Sequence, residues 1–219
     1  MVRKIEEISA VVFDLDGLLL ESEQVWSEVK RELSLGRGGR WSEAAETDML
    51  GMSSTEWTAY MREELGVAME PSEISEAVAD ALADRYRAGL PLITGANGAV
   101  RELAGRYPLG LASSSNRGTI DLVLELAGWS ACFSATTSSE EVAAGKPSPD
   151  VYLETVRRLG VEADSCVAIE DSGAGISSAV AAGLAVVAIP NRAYPPDGKV
   201  LARADLVLRS IEELAAALP

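Results

Sequence analysis

The chain has 219 residues, 47% of them hydrophobic and 24% charged, an ordinary globular composition that excludes disorder. With 34 acidic residues against 19 basic ones, its formal charge of −15 opposes general affinity for a nucleic-acid backbone. It contains no histidine, which excludes Ser-His-Asp and Cys-His catalysis and histidine-ligated zinc, and leaves proton transfer to carboxylates, lysine or tyrosine.

Behind the Met1-Val2-Arg3-Lys4 start, no apolar stretch is long and charge-free enough for a signal peptide or a membrane span, and Cys132 and Cys166 lack metal-like spacing. A cytoplasmic protein with reduced thiols is expected. The first β-branched apolar run, residues 10–13, reads as a strand and leads into Asp14-Leu15-Asp16-Gly17. Residues 21–88 hold no convincing strand and read as several helices, among them 53–65 and 72–88, with Ser53 and Ser72 as N-caps. The glycine-rich stretch 35–40 in this segment reads as a solvated turn. After Pro91 and Gly95, strands at 109–112, 133–136, 165–169, 185–189 and 206–208 alternate with helical periods at 98–103, 119–126, 151–159, 176–182 and 211–218. Such alternation predicts an α/β fold: a parallel sheet covered by helices on both faces, built from residues 1–18 and 91–219, with an all-helical domain inserted at 19–90.

In an extended strand, residues two apart project to the same side, so Asp14 and Asp16 lie close together and repel. Ligands of open parallel sheets bind at the carboxyl ends of the strands. Polar groups gather there: Ser113, Ser114, Ser115 and Asn116 after one strand, Glu170 and Asp171 after another. Carboxylates collected at such a rim need a counter-charge, and a hard divalent cation such as Mg²⁺ supplies one that also pairs with phosphate oxygens. Lys146, at the start of a helix beside Pro147 and Pro149, is placed to neutralise anionic oxygens. These are the parts needed for phosphoryl transfer through an aspartyl phosphate. The glycines after Glu170-Asp171 do not form a dinucleotide fingerprint; Gly173 and Gly175 instead open the following helix.

With these motifs in this order over nearly its whole length, the chain resembles the haloacid dehalogenase (HAD) superfamily, in its branch of small phosphatases and β-phosphoglucomutase-like enzymes. The resemblance implies a Rossmann-like core with a helical cap inserted after the first motif. It implies Asp14 as nucleophile and Asp16 as general acid and base, with Ser113, Ser114 and Lys146 on the transferring phosphoryl group. It further implies Mg²⁺ held by Asp14, the Asp16 carbonyl, Glu170 and Asp171. Ser115, Asn116 and Arg117 fall where related enzymes hold the distal part of the substrate. Glu21-Ser22 stands where the family usually shows Asp-Ser, which makes Glu21 a further candidate substrate contact.

The activity so implied is Mg²⁺-dependent hydrolysis of a small phosphorylated metabolite, a sugar phosphate by preference, in a monomer that engages neither nucleic acid nor membrane. Dehalogenases and phosphonatases replace the second aspartate, present here as Asp16, and phosphonatases use a cap lysine, for which this cap offers Lys30. A β-phosphoglucomutase-like mutase carries a cap histidine and a cap arginine where this chain has Trp26 and Ser54 or a neighbour. A non-catalytic receiver-like phosphoaspartate module needs neither Asp16 nor a helical insertion. Trp26, Trp41 and Trp57 either line the substrate pocket or fill the core between cap helices.

Overall fold

The computed structural model describes residues 7–49, 52–192 and 194–219, so the Met1-Val2-Arg3-Lys4 start lies outside the described residues. Six strands form one sheet: β1 (Ala10–Phe13), β2 (Leu109–Ser113), β3 (Phe133–Ser138), β4 (Cys166–Glu170), β5 (Ala185–Ala188) and β6 (Leu206–Val207). Their order is β3-β2-β1-β4-β5-β6 and every pairing is parallel. All four residues of β1 are buried, with Val11 and Phe13 in one apolar cluster and Ala10 and Val12 in another on the opposite face. Burial on both faces is why this strand reads as a continuous apolar run rather than an alternating one.

Helices α1 (Glu23–Gly36), α2 (Glu43–Asp48), α3 (Ser54–Glu63) and α4 (Pro71–Ala88) follow β1. Val29, Trp57, Met61, Ile74, Val78 and Leu82 from these helices join the cluster that holds Val11 and Phe13, so the insertion packs its apolar face in continuity with one side of the sheet. Helices α5 (Ala96–Ala104) and α6 (Arg117–Leu126) add Val100, Leu103, Ile120 and Val123 to that cluster. Helices α7 (Asp150–Leu159) and α8 (Gly173–Ala182) cover the other face with Tyr152, Val156, Ile176 and Ala179. The short helices α9 (Gly198–Leu201) and α10 (Leu214–Ala217) complete the chain. No described helix is long and apolar enough to cross a membrane.

The two passages between sheet and insertion run side by side. Leu20 bridges Leu92, Glu21 N–H donates to the Pro91 carbonyl at 2.8 Å, and Ile93 N–H donates to the Leu19 carbonyl at 3.0 Å. Glu21 is thereby fixed at this junction through its backbone.

Several local expectations are corrected. Helix α4 starts at Pro71 rather than at 72: Glu70 is the N-cap, its N–H bonded by the Glu73 carboxylate at 2.8 Å, and a proline lacking an N–H suits the first helical position. Ser53 does cap α3, its N–H accepted by Glu56 at 2.8 Å. The expected helix at 211–218 divides into a 3₁₀ turn, Ile211–Glu213, and α10; the carbonyls of Ala215 in α10 and of Leu218 just after it accept from the Arg106 guanidinium. Leu206–Val207 is shorter than expected and β3 is longer, reaching Ser138. Of the stretch 35–40 expected as a turn, Leu35 and Gly36 still belong to α1, and the turn follows at 37–40. A side chain at Gly39 would meet Ser34 Oγ at 2.7 Å and the Leu65 carbonyl at 2.9 Å, so this turn closes tightly onto the end of α3.

Candidate active site

Strand β1 lies between β2 and β4, and the chain builds outward first on one side and then on the other, so the crevice of an open parallel sheet falls at the carboxyl end of β1. Asp14 occupies that end, its N–H donating to the Ile169 carbonyl of β4 at 3.0 Å. The chain then turns sharply at Gly17, whose φ is +81°. A Cβ there would lie 2.2 Å from Asp171 Oδ2, so glycine both accepts the left-handed conformation and lets the turn close onto Asp171.

Ligand atoms of Asp14, Glu170 and Asp171 lie within 4.8 Å of one another, and all three residues are buried. Lys146 Nζ donates to Asp14 Oδ1 at 2.5 Å and to Glu170 Oε1 at 2.6 Å, tying two of the carboxylates together. Glu170 is completely buried and fully engaged: Oε1 also accepts from Tyr152 at 2.7 Å, and Oε2 accepts from the Ser172 hydroxyl and the N–H groups of Asp171 and Ser172. Asp171 differs, because its Oδ1 is buried and has no hydrogen-bond partner. Gly175 makes room for the Glu170 carboxylate, which a Cβ would approach within 2.0 Å.

The electrostatics follow from burial. Desolvation pushes the Asp14 carboxyl up to about 8, Lys146 pulling against it and Glu170 adding to it. Burial, then Asp14 and Glu170, hold Asp171 well above the usual carboxylate range. For Lys146 burial opposes the charge, but the two carboxylates outweigh it and keep its ammonium above the ordinary lysine range. Three carboxylates around one ammonium leave a deficit of two positive charges, which suits a divalent oxygen-seeking cation.

Asp16 points away from this cluster. Its Oδ1 accepts from Ser22 at 2.6 Å and from the Trp26 indole at 3.3 Å, and its Oδ2 accepts from Ser115 at 2.7 Å. Ser113 is completely buried; its hydroxyl lies 3.5 Å from Asp16 Oδ2 and accepts the Ser115 N–H at 3.0 Å, while Ser114 and Ser115 line the open cavity. Ser138 and Ser139 back this turn by donating to the Ser115 and Ser114 carbonyls. Asp14, Asp16 and Asp171 open onto the same cavity, of about 380 Å³, whose outer wall carries Trp26, Trp41 and Trp57.

Glu21, Asn116 and Arg117 are not among the cavity's lining residues. Asn116 is committed to capping α6 by accepting the Thr119 N–H at 2.8 Å, and Arg117 is held by Asp121, Thr136 and Glu141. Three contributors escaped sequence reasoning: Tyr152, on the apolar face of α7, where a buried phenol looks like core; Ser22, just before α1; and Glu23, which also lines the cavity. Trp26, a candidate from the sequence, does line the cavity, with Trp41 and Trp57.

Residues 8–183 match the haloacid dehalogenase-like hydrolase family model. Hexitol phosphatase B of Escherichia coli K12 is 30% identical over 215 residues, covering 96% of each chain. The bifunctional riboflavin kinase/FMN phosphatase of Arabidopsis thaliana is 30% identical over 211 residues; these are 94% of this chain, which spans about half (54%) of that longer protein. Among solved structures, CbbY from Rhodobacter sphaeroides in complex with phosphate superposes with a TM-score of 0.82 at 25% identity, over 94% of this chain and 96% of that one. A hydrolase with an acidic site at the switch point of a capped parallel sheet is thus the class that fold and site define. The chain belongs to the haloacid dehalogenase-like hydrolase family, and its relatives there include phosphatases.

Proposed function

We propose that this hydrolase is a Mg²⁺-dependent phosphatase that removes phosphate from a small phosphorylated metabolite, a sugar or polyol phosphate, through a phosphorylated Asp14. The observation that carries this reading is the buried trio of Asp14, Glu170 and Asp171 around Lys146, with one Asp171 oxygen left unpartnered. The donor set is all oxygen, as Mg²⁺ prefers. Asp14 and Asp171, with the Asp16 carbonyl, would hold the ion, while Glu170, both of whose oxygens are taken, anchors Lys146. When bound, Mg²⁺ supplies positive charge to the phosphoryl oxygens.

Asp14 attacks phosphorus in line, and Asp16 gives its proton to the departing oxygen, so that no bare alkoxide leaves. Asp16 then takes a proton from the water that cleaves the acyl phosphate. Its neighbours suit both duties: a serine hydroxyl donates to a carboxylate and accepts from a carboxylic acid, so Ser22 and Ser115 can serve either form by rotating. Lys146 steadies the charge on Asp14, and Ser114 and its N–H face the phosphoryl oxygens. Helices α1–α4 act as the cap, since Ser22 and Trp26 reach from them to Asp16 and the three tryptophans wall the cavity. The relative named hexitol phosphatase supports a polyol or sugar phosphate as substrate. The acidic charge and free thiols support a cytoplasmic monomer without nucleic acid or membrane.

Metal and pH test this reading together. The folded-state pKa of Asp14, raised from 3.8 to about 8, means that its contribution to stability is complete at low pH and lost as pH climbs through about 8, where the buried carboxyl ionises. A cation in the site reverses that loss. Chelation is expected to abolish phosphate release from p-nitrophenyl phosphate, Mg²⁺ to restore it, and the Mg²⁺-induced rise in Tm to be larger at pH 8 than at pH 5. Undiminished hydrolysis in chelator, or a pH-independent shift, would contradict the assignment.

A further inference from the structure

The mechanism above does not use Lys30, yet this lysine is among the most unusual residues of the insertion. It lies on α1, is only 8% exposed, and lines the cavity that Asp14 and Asp16 open onto. Its Nζ sits 5.2 Å from the ring centroid of Trp26 and 4.8 Å from that of Trp57, two indoles that meet edge to face with centroids 6.1 Å apart. Among the described residues no carboxylate forms an ion pair with it and no hydrogen bond from its ammonium is recorded, although a buried lysine is ordinarily paired. Burial pushes Lys30 down to about 8, Asp16 pulling the other way, so the group is charged at neutral pH.

The remainder of the lining is acidic. Asp14, Asp16, Glu23, Glu46 and Asp171 face the cavity, and Lys30 is the cation among the described lining residues. Two indole faces stabilise an ammonium but leave its N–H donors without an acceptor. Trp26 connects this group to the chemistry: its N–H donates to Asp16 while its ring carries Lys30. An acceptor at Lys30 therefore belongs to the leaving group, next to the oxygen that Asp16 protonates.

We infer that Lys30 is a specificity-determining residue that binds a second anionic group, a carboxylate or a further phosphate, carried by the leaving group of the phosphomonoester. The inference rests on the phosphatase reading and narrows its substrate class. Lys30 holds this anion by charge-assisted hydrogen bonds, in a site whose other charges would repel it, so phosphomonoesters with neutral leaving groups are turned over less efficiently.

Three matched esters test it: 3-hydroxypropyl phosphate, which is neutral beyond its ester, 3-phosphooxypropionate, and propane-1,3-diol bisphosphate. For the wild type, kcat/KM for at least one anionic ester is expected to exceed that for the alcohol by about tenfold or more, as a charged hydrogen bond allows. In Lys30→Met that ratio falls toward one, and Lys30→Arg, which keeps the cation, retains the preference in rank order. A preference for the propionate identifies a carboxylate and a preference for the bisphosphate a second phosphate. A wild-type ratio near one, or a ratio unchanged in Lys30→Met, overturns the inference; the wild-type ratio decides even where a variant folds poorly. Faster turnover of the neutral ester than of both anionic ones leaves the phosphatase reading intact and removes the role of Lys30. Failure of the wild type with Mg²⁺ to release phosphate from p-nitrophenyl phosphate and all three esters removes both.

Discussion

Asp14→Asn is expected to lower phosphate release by at least about 10⁴-fold, the scale of losing a catalytic nucleophile, while the protein remains folded. Asparagine keeps the shape of aspartate at the end of β1 and still offers an oxygen to Lys146 in place of the carboxylate. It cannot form an acyl phosphate. It also removes a carboxyl whose ionisation is unfavourable in this buried place, so at pH 8 without metal the variant should melt no lower than the wild type. Steady-state hydrolysis and a melting curve on the same preparation check both halves, and near wild-type turnover would sink the nucleophile assignment.

Lys146→Met is expected to abolish activity and, unlike the first substitution, to destabilise the fold. Lys146 is the ammonium between Asp14 and Glu170, with its side chain 4% exposed and that of Glu170 fully buried. Removing one partner of a buried pair leaves an uncompensated charge and costs about 3–5 kcal/mol, or roughly 6–20 °C in Tm for a chain of this size. Adding Glu170→Gln should recover part of that Tm without recovering turnover, because it deletes the stranded charge but not the need for Lys146. Melting in chelator at pH 7 measures this, and a single variant as stable as the wild type would show that Lys146 does not balance the cluster.

The sheet was legible because its strands are buried on both faces: the apolar runs at β1, β4 and β5 have no competing helical period, and their polar ends mark the functional rim. Asp14 and Asp16 were equally legible as two carboxylates at the end of such a run. Their side chains nevertheless diverge, Asp14 toward Lys146 and Asp16 toward Ser22 and Ser115, because β1 ends at Phe13 and the chain turns at Gly17. Strand alternation predicts a shared side only while the strand continues. The adjacent acids Glu170 and Asp171 look equivalent in sequence; the first is sealed by Lys146, Tyr152 and Ser172 and the second keeps an unpartnered oxygen, a distinction created by α7 and α8 packing from distant parts of the chain. The start of α4 was misplaced by local chemistry, since a glutamate N-cap with a reciprocal glutamate is a less familiar signal than serine. Lys30 was visible as the lone lysine of the insertion, but its two indole partners lie 4 and 27 residues away and meet it only in the folded structure.

The most direct test of the account is to catch the phosphoryl group on the protein. Enzyme mixed with Mg²⁺ and a phosphomonoester, quenched in acid within a single turnover and digested, should yield the peptide containing Asp14 one phosphoryl group heavier, with the label absent from Asp14→Asn and discharged by hydroxylamine as an acyl phosphate is. Steady phosphate release with no labelled peptide at any quench time, or a label on another residue, would contradict it.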